Sequence, residues 1–412
     1  MGRALAAIPS AGTPAPNLLY VSSYGGKVVT LDVADAAGSS ASGVPKLRTI
    51  ASTDGGAGTL SWLTLDHGRS TLFGLDEGLS SDRGSLTSFR TRADGSLETL
   101  ARLEMSPGPV SGVLYGPEDG GLAIAHYQGA GCARVTLLTD DALHSHSSGS
   151  ALSTWDVSEP SEVVKVQSET FTLNKQPTVP HRQDAPHPHQ AFLDPTGGFL
   201  VVPDLGTDEL RMYAVGPRLA VTPLLPVSVA PGSGPRHVQF AKRGGKTFMY
   251  LVAELTCTIV GYGVTYPAGT IKLDELWTIG VHGEGKPVPA DASASEIVVS
   301  ADGRFALVSS RNENGFLIGD FDPSKDGQIV SDPIVNFSID DDGSLRLLQD
   351  VPAGGRVPRQ FSMNKSGTLL AVGLQSDMRV VLISRDPETG RLGRFAGYAD
   401  LEGEITSVVF NE

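Results

Sequence analysis

One unit recurs along the chain and limits what it can fold into. The unit is a short apolar strand, a turn in which Asp, Asn or Ser precedes Gly, a second apolar strand, and a loop of small residues. The copies begin at His189, Arg236, Ser295 and Arg359, with weaker ones near Ser61 and Ser111. A short unit of this kind cannot bury its own hydrophobic face, so its copies must pack against one another. The repeat therefore predicts stacked units rather than a conventional layered domain.

The two ends of the chain together supply a seventh unit. Residues 17–33, NLLYVSSYGGKVVTLDV, read as a unit without its first strand, and ITSVVFNE at residues 405–412 reads as that strand. Pairing strands from both ends closes a ring and removes the exposed sheet edges. The copies recur at roughly the 40–50 residues that a four-stranded propeller blade needs. We therefore predict an all-β fold, a single seven-bladed β-propeller, with the N- and C-terminal strands closing the ring in one blade.

Two segments lie outside this pattern. Residues 1–16 are expected to form an N-terminal tail, and residues 17–412 the propeller. Residues 139–176 are long, polar and rich in Ser and His, so we expect an inserted loop there. Loops of that length in compact folds are usually functional or disordered.

Composition excludes several classes of function. Lys and Arg total 32 against 46 Asp and Glu, which leaves a net charge of −14. Binding to nucleic acid or to an anionic membrane would need a basic surface, so neither partner is expected. No apolar run reaches the roughly 18 residues of a membrane span. Cys132 and Cys257 fit neither a disulfide framework nor a zinc motif, and we expect no metal and no cofactor. A cytoplasmic location is expected, with secretion after loss of a signal as the alternative, and the oligomeric state is left open.

The alignment of the copies brings charged residues to one end of the ring. The strands of a blade are antiparallel, so the start of the first strand and the end of the second lie at the same end. His189, Arg236 and Arg359 stand at the first of these positions, and Glu254 and Arg311 at or near the second. The weaker copies place no such groups there. The loop from Pro177 to His189, which carries Arg182 and His187, leads into the same mouth of the channel.

These residue types suit chemistry on a lactone ring. Hydrolysis needs a base that activates water and a cation where the oxyanion develops. The reverse type of reaction, ring closure by a carboxylate, needs arginines that orient carboxylates and an acid. We predict His189 as the main proton-transfer residue and Glu254 as the catalytic residue that orients it or the attacking water. The predicted substrate-binding residues are Arg236, Arg311, Arg359, Arg182 and His187. The alternative for each arginine or glutamate is one half of a structural ion pair.

Several segments resemble one known family. They are RQDAPHPHQAFLDPTGGFLVVPDLGTDELRMY, SGPRHVQF, the tripeptide AEL, SASEIVVSADGRFALVSSRNE and RDPETGRL. They are similar to the propeller lactonases, a group that contains bacterial 6-phosphogluconolactonase and the fungal carboxymuconate-lactonizing enzymes. The resemblance is strongest from Arg182 to Leu392, and the first third of the chain matches poorly. It implies an active site at His189, Arg236, Glu254 and Arg311, the residues that the repeat alignment also selects.

Three functions remain open from the sequence. The leading one is a metal-independent lactonase that hydrolyses a lactone ring and resembles 6-phosphogluconolactonase. The alternative within enzymes is an isomerase that cyclises 3-carboxy-cis,cis-muconate to its lactone. A non-catalytic propeller that binds a metabolite or a protein is the third. The expected ligand of either enzyme is a small anionic lactone or carboxylate.

Overall fold

A computed structural model describes residues 17–34, 43–56, 58–128 and 150–412. It contains 31 β-strands, and each of the paired strands runs antiparallel to its neighbour. The helical elements of the described residues are two single-turn 3₁₀ helices, Pro117–Asp119 and Pro217–Leu219. No helix in these residues has the length and apolar character to cross a membrane. The all-β prediction is confirmed.

Seven of the sheets contain four or five strands, and we number these as blades in chain order. Blade 1 contains β1 (Leu18–Ser23), β2 (Lys27–Asp32), β3 (Arg48–Asp54) and β31 (Ile405–Phe410). Blade 2 contains β4 (Leu60–Asp66), β5 (Thr71–Asp76), β6 (Gly84–Thr91) and β7 (Leu97–Met105). Blade 3 contains β8 (Pro109–Tyr115), β9 (Gly121–His126), β10 (Ala151–Asp156) and β11 (Val164–Thr170). Blade 4 contains β12 (Phe192–Leu193), β13 (Phe199–Asp204), β14 (Glu209–Val215), β15 (Val221–Pro223) and the short β16 (Val227–Ser228).

The remaining three blades follow the same plan. Blade 5 contains β17 (Pro235–Arg243), β18 (Lys246–Ala253), β19 (Thr258–Thr265) and β20 (Lys272–Gly280). Blade 6 contains β21 (Ser293–Val299), β22 (Phe305–Arg311), β25 (Pro333–Ile339) and β26 (Leu345–Pro352), and a separate hairpin is formed by β23 (Phe316–Gly319) and β24 (Gln328–Ser331). Blade 7 contains β27 (Pro358–Met363), β28 (Leu369–Leu374), β29 (Arg379–Arg385) and β30 (Leu392–Asp400).

The ring closes as the sequence predicts. β31 pairs with β1, with Leu19 opposite Phe410 and Ser22 opposite Ser407. The first blade therefore takes its innermost strand from the end of the chain. Ile405 is fully buried in a hydrophobic cluster that also contains side chains of blade 7.

Hydrophobic clusters between neighbouring blades hold the ring together. Val252 and Ile259 of blade 5 pack in one cluster with Ile297 and Val308 of blade 6. The second strand of a blade is covered on both faces, which is why segments such as FLVV and LLAV are continuously apolar. The outer strands are covered on one face only, and β11 alternates exposed and half-buried residues along most of its length.

The expected loop at residues 139–176 is wrong for the part that the structure describes. β10 and β11 lie inside this range and form the third and fourth strands of blade 3. The sequence VKVQSET of β11 is polar because an outermost strand faces water, and this polarity resembles that of a loop. Residues 139–149 and the expected tail at 1–16 lie outside the described residues.

Candidate active site

A β-bulge occurs at the same point of the innermost strand in six blades, and blade 4 has the same one-residue shift between its Pro188–Asp204 bridge and β12. The ladder between the first two strands gains one extra residue there, for example between Pro235 and His237 opposite Ala253 and Val252. In blade order the extra residues are Thr406, Ser61, Val110, His189, Arg236, Ser295 and Arg359. All except Ser295 line one cavity, together with Trp62, His237 and Gln360. Because these residues come from six blades, the cavity lies on the central channel.

Buried carboxylates fix the backbone that leads to these bulges. Asp208 accepts hydrogen bonds from the backbone N–H groups of Gly232 and Gly234, at 2.7 and 2.9 Å. Asp332 is fully buried and accepts from the N–H groups of residues 312, 313, 314 and 357. The segments held in this way lead into Arg236, follow Arg311 and lead into Arg359. The arginines therefore start from a rigid backbone, which orients their side chains before any ligand binds.

Glu254, directly after β18, is the centre of an arginine cluster. Its Oε2 lies 2.9 Å from Arg236 Nε and 3.0 Å from Arg311 Nη2, and Arg182 Nη2 donates to Oε1 at 2.5 Å. Burial alone would raise the pKa of this carboxyl, but Arg311, Arg236 and Arg182 outweigh burial and hold the pKa at about 2. Glu254 is therefore ionised at neutral pH and a weak base. Three guanidiniums against one carboxylate leave a local charge of 3 − 1 = +2.

Two of these arginines have further fixed contacts. Arg236 Nη1 donates to the Ser295 carbonyl oxygen at 2.6 Å, and Arg311 Nη2 donates to Ser293 Oγ at 2.7 Å. Burial, followed by the charge of Arg311, lowers the pKa of Arg236 to about 9. Burial and the neighbouring Arg311 both disfavour the charged form of Arg236, and an anionic ligand beside this side chain would favour it.

His189 is linked to a second histidine and a carboxylate. Its Nδ1 lies 3.2 Å from His237 Nε2, and His237 Nδ1 lies 2.8 Å from Glu296 Oε1. All three side chains are buried, and the ring of Tyr127 stands edge-on to His189 with a centroid distance of 5.2 Å. Burial is the main cause that lowers the pKa of His189 well below its usual value, with Arg236 as the next cause. His189 is therefore a neutral imidazole at pH 7.

Arg359 lies in the same cavity but has its own partners. Its Nη1 donates to Tyr24 Oη at 2.9 Å, and its Nη2 lies 3.2 Å from Glu77 Oε1. Tyr24 Oη in turn donates to Glu77 Oε1. Burial raises the pKa of Glu77, and Arg359 opposes this rise. This group joins blades 1, 2 and 7 and is separate from the Glu254 cluster.

The loop before blade 4 contributes one exposed and one enclosed residue. The Arg182 side chain remains 36% exposed, whereas that of Glu254 is only 5% exposed. His187 is enclosed: its Nδ1 lies 2.7 Å from the Tyr127 carbonyl oxygen, its Nε2 lies 3.0 Å from Asp184 Oδ1, and its ring stacks on Tyr127. His187 therefore supports Tyr127 and the loop, and it does not line the cavity.

The structure brings six of the seven predicted site residues together. His189, Arg236 and Arg359 line the cavity, while Glu254, Arg311 and Arg182 join it through ion pairs with Arg236 or Glu254. The seventh residue, His187, does not line the cavity and contacts Tyr127 instead.

His237 and Glu296 also belong to the site, and the sequence does not predict either of them. Simple alternation along a strand would point His237 away from the face that Arg236 occupies. The bulge at Arg236 breaks this alternation, so both side chains reach the cavity. The His-Val-Gln run after Arg236 is the only signal in the sequence, and it looks like an ordinary strand.

A larger cavity of about 440 Å³ lies between blades 6 and 7. Its lining is mostly apolar, with Val351, Ile383 and Phe395 among its residues and Arg394 as the ionisable one. Among the described residues that line it there is no base and no nucleophile, so we place the candidate active site in the central channel.

Comparisons with known proteins concern the family and the fold of the chain. The family model "Lactonase, 7-bladed beta-propeller" matches residues 19–410. A protein of Arthroderma benhamiae, named probable 6-phosphogluconolactonase, is 29% identical over 94% of this chain and 87% of its own length. A 6-phosphogluconolactonase of Formosa agariphila is 29% identical over 63% of this chain and 68% of its own.

Solved structures share the fold. A periplasmic gluconolactonase of Pseudomonas aeruginosa has a TM-score of 0.71 at 24% identity and covers 96% of this chain and 98% of its own. A structure from Bacteroides fragilis has a TM-score of 0.75 at 20% identity, with 97% and 99% covered.

Proposed function

Because the chain belongs to the lactonase family of seven-bladed β-propellers, we propose that it hydrolyses the ring ester of a small anionic lactone in the central channel. One observation carries this proposal: a neutral histidine, His189, shares a cavity with Arg236, whose cluster holds an excess of positive charge. A neutral imidazole can accept a proton from water, and guanidiniums can stabilise the anion that forms when water attacks a carbonyl carbon.

The proposed reaction uses these groups in two steps. His189 Nε2 takes a proton from water while the water oxygen bonds to the lactone carbonyl carbon, and Arg236 with Arg311 stabilises the resulting oxyanion. The carbonyl then re-forms, the bond to the ring oxygen breaks, and the proton returns from His189 to that oxygen. The product is the open hydroxy acid. The role we give to Glu254 is to hold Arg236, Arg311 and Arg182 in place, because an ionised carboxylate with a pKa of about 2 is a poor proton acceptor.

The charge of the site favours an anionic substrate. Two uncompensated positive charges around Glu254 match a phosphate or carboxylate group, and arginine binds both through paired hydrogen bonds. The names of the relatives point to a phosphorylated sugar lactone, and we propose 6-phosphogluconolactone as the first substrate to test.

Substrate binding requires side chains to move. The free volume of the channel cavity is about 10 Å³, which is about the space that one water molecule needs. A sugar lactone is far larger. Arg182 is the partner of Glu254 with the most exposed side chain, at 36%, so we propose that it turns outward and exchanges Glu254 for the anionic group of the substrate.

The muconate cyclisation considered above is less well supported by this site. It needs a general acid that gives a proton to carbon, but Glu254 is ionised and His189 is neutral at pH 7. Hydrolysis begins with a base, which neutral His189 supplies.

The test is a direct assay of purified protein. We expect hydrolysis of 6-phosphogluconolactone well above the spontaneous rate, with a kcat/KM at least tenfold higher than for uncharged δ-gluconolactone. The His189→Ala variant serves as the matched control for contaminating activity. A wild-type rate equal to the spontaneous rate on both lactones, with turnover of 3-carboxymuconate instead, would show that the chain is a cyclase.

A further inference from the structure

We propose that His237 and Glu296 form a proton relay behind His189, which moves positive charge away from His189 during lactone hydrolysis. The proposal rests on the proposed function and adds two positioning residues to it. His189, His237 and Glu296 come from blades 4, 5 and 6, and they form a continuous hydrogen-bonded chain with N···N and N···O distances of 3.2 and 2.8 Å.

The geometry sets the tautomer of each ring. A carboxylate only accepts hydrogen bonds, and Glu296 Oε1 already accepts one from the Ile297 N–H at 3.0 Å. His237 must then carry its proton on Nδ1, which leaves Nε2 bare as an acceptor. His189 in turn must donate from Nδ1, so its Nε2 is bare. Among the residues that the structure describes, none forms a hydrogen bond with His189 Nε2, and this atom is therefore available to a reacting water.

The relay places the positive charge that forms during the reaction on His237, where it is less unfavourable than on His189. An imidazolium at this position would face the positive charges of Arg236 and Arg359. His237 also faces Arg236, but it has the carboxylate of Glu296 as a direct partner and Glu254 as a second negative charge nearby. Positive charge is therefore better placed on His237 than on His189.

The proton movement balances at every atom. As water attacks the carbonyl carbon, its proton bonds to His189 Nε2, and the proton on His189 Nδ1 passes to His237 Nε2. His237 becomes the imidazolium, paired with Glu296, and His189 stays neutral. When the ester C–O bond breaks, the sequence reverses and the ring oxygen receives the proton. No oxidant, metal or second substrate is needed.

The backbone holds this chain in place from both ends. The His189 N–H donates to the Pro203 carbonyl oxygen at 2.9 Å, and the Glu296 N–H donates to Ser309 Oγ at 3.0 Å. His237 packs edge-on against Trp62, with a ring centroid distance of 6.0 Å. A rigid chain keeps the transfer distances short, which proton transfer requires.

The tautomers can be measured without any substrate. In the wild-type protein labelled with ¹⁵N-histidine, NMR couplings at pH 7 are expected to show the proton on Nδ1 for both His189 and His237. A proton on Nε2 of His189 would overturn the relay, because that atom could then not accept a proton from water.

The second test is Glu296→Gln, assayed on 6-phosphogluconolactone. We expect kcat to fall about 10²-fold with KM within about threefold, since the group acts through His189 in the transition state. The acid limb of the kcat–pH profile should also move to lower pH, because the imidazolium loses its carboxylate. Glu313→Gln is the matched control, since it removes the buried carboxylate partner of another histidine, His282, outside the channel, and should leave the profile unchanged.

The results distinguish a failure of the relay from a failure of the proposed function. If Glu296→Gln keeps kcat within threefold of wild type, the relay is wrong and lactone hydrolysis by His189 still stands. If the wild type hydrolyses no lactone, the proposed function fails and the relay falls with it. Should circular dichroism show that Glu296→Gln is unfolded, His237→Gln takes its place with the same expected results.

Discussion

His189 and Arg236 occupy equivalent positions in two neighbouring blades: His189 lies just before β12, and Arg236 is the bulge residue of β17. One is a base and the other a cation, and both face the same cavity. The repeated backbone places the side chain at this position in the channel, and the type of residue determines whether it acts as a base or as a cation. Removing either side chain should therefore leave the ring intact and change catalysis.

His189→Ala should lower kcat by roughly 10²–10⁴-fold, the usual contribution of a general acid–base group. KM should change much less, since a neutral imidazole contributes little to binding an anion. Steady-state kinetics on 6-phosphogluconolactone provide the measurement. Near-wild-type turnover would show that His189 is not the proton-transfer residue.

Arg236→Ala should raise KM as well as lower kcat, because an anion clamp acts on the bound substrate and on the transition state. Arg236→Lys keeps the charge but loses the planar fork that contacts Glu254 and Ser295 together, so we expect it to recover only part of the activity. Full activity in Arg236→Lys would show that charge alone matters at this position.

Glu254→Gln should destabilise the protein, because three clustered guanidiniums lose their shared carboxylate. Removing one partner of a buried ion pair typically costs about 3–5 kcal/mol. Urea unfolding should show this loss, and added inorganic phosphate should restore part of the Tm, since an anion that binds only the folded state stabilises it. If the variant is as stable as the wild type, the carboxylate of Glu254 is not needed to offset the repulsion among the three guanidiniums.

His282 should make stability depend on pH in the alkaline range. It lies between Asp350 and Glu313, with N···O distances of 2.8 and 2.9 Å, and these hydrogen bonds raise its pKa to about 9. A raised folded-state pKa stabilises the protein fully below about pH 6.5, and this contribution of about 2–3 kcal/mol is lost as pH rises through 9. Urea unfolding at pH 6 and pH 9.5 should show the loss in the wild type and a smaller one in His282→Gln. Equal losses would assign the pH dependence to other groups.

Deletion of residues 405–412 should open the ring. β31 is the innermost strand of blade 1, and without it β1 becomes an exposed edge and the cluster around Ile405 loses its centre. We expect an insoluble or molten protein by circular dichroism and size-exclusion chromatography. Deletion of Glu412 alone, beyond the strand, is the control and should fold. A folded, soluble 1–404 chain would contradict the closure.

The sequence predicts the ring and most of the site for a physical reason. The turn before each second strand has a recognisable sequence, in which Asp, Asn or Ser precedes Gly. Aligning the turns therefore also aligns His189, Arg236 and Arg359 at the channel. The sequence predicts a loop at 139–176, and this is wrong for β10 and β11, because the outermost strand of blade 3 faces water and is as polar as a loop. The Glu77–Arg359 pair could not be predicted, because it joins the first and last thirds of the chain across the ring closure.

The bulge positions also bear on how such enzymes diversify. Six of the seven blades direct the side chain at this position into the channel cavity, so a new substrate group can be met by a single amino-acid substitution without redesign of the backbone. Thr406, Ser61 and Val110 occupy these positions in blades 1, 2 and 3 with small side chains. They are the natural places where evolution, or directed mutagenesis, can exchange the lactone that this scaffold opens.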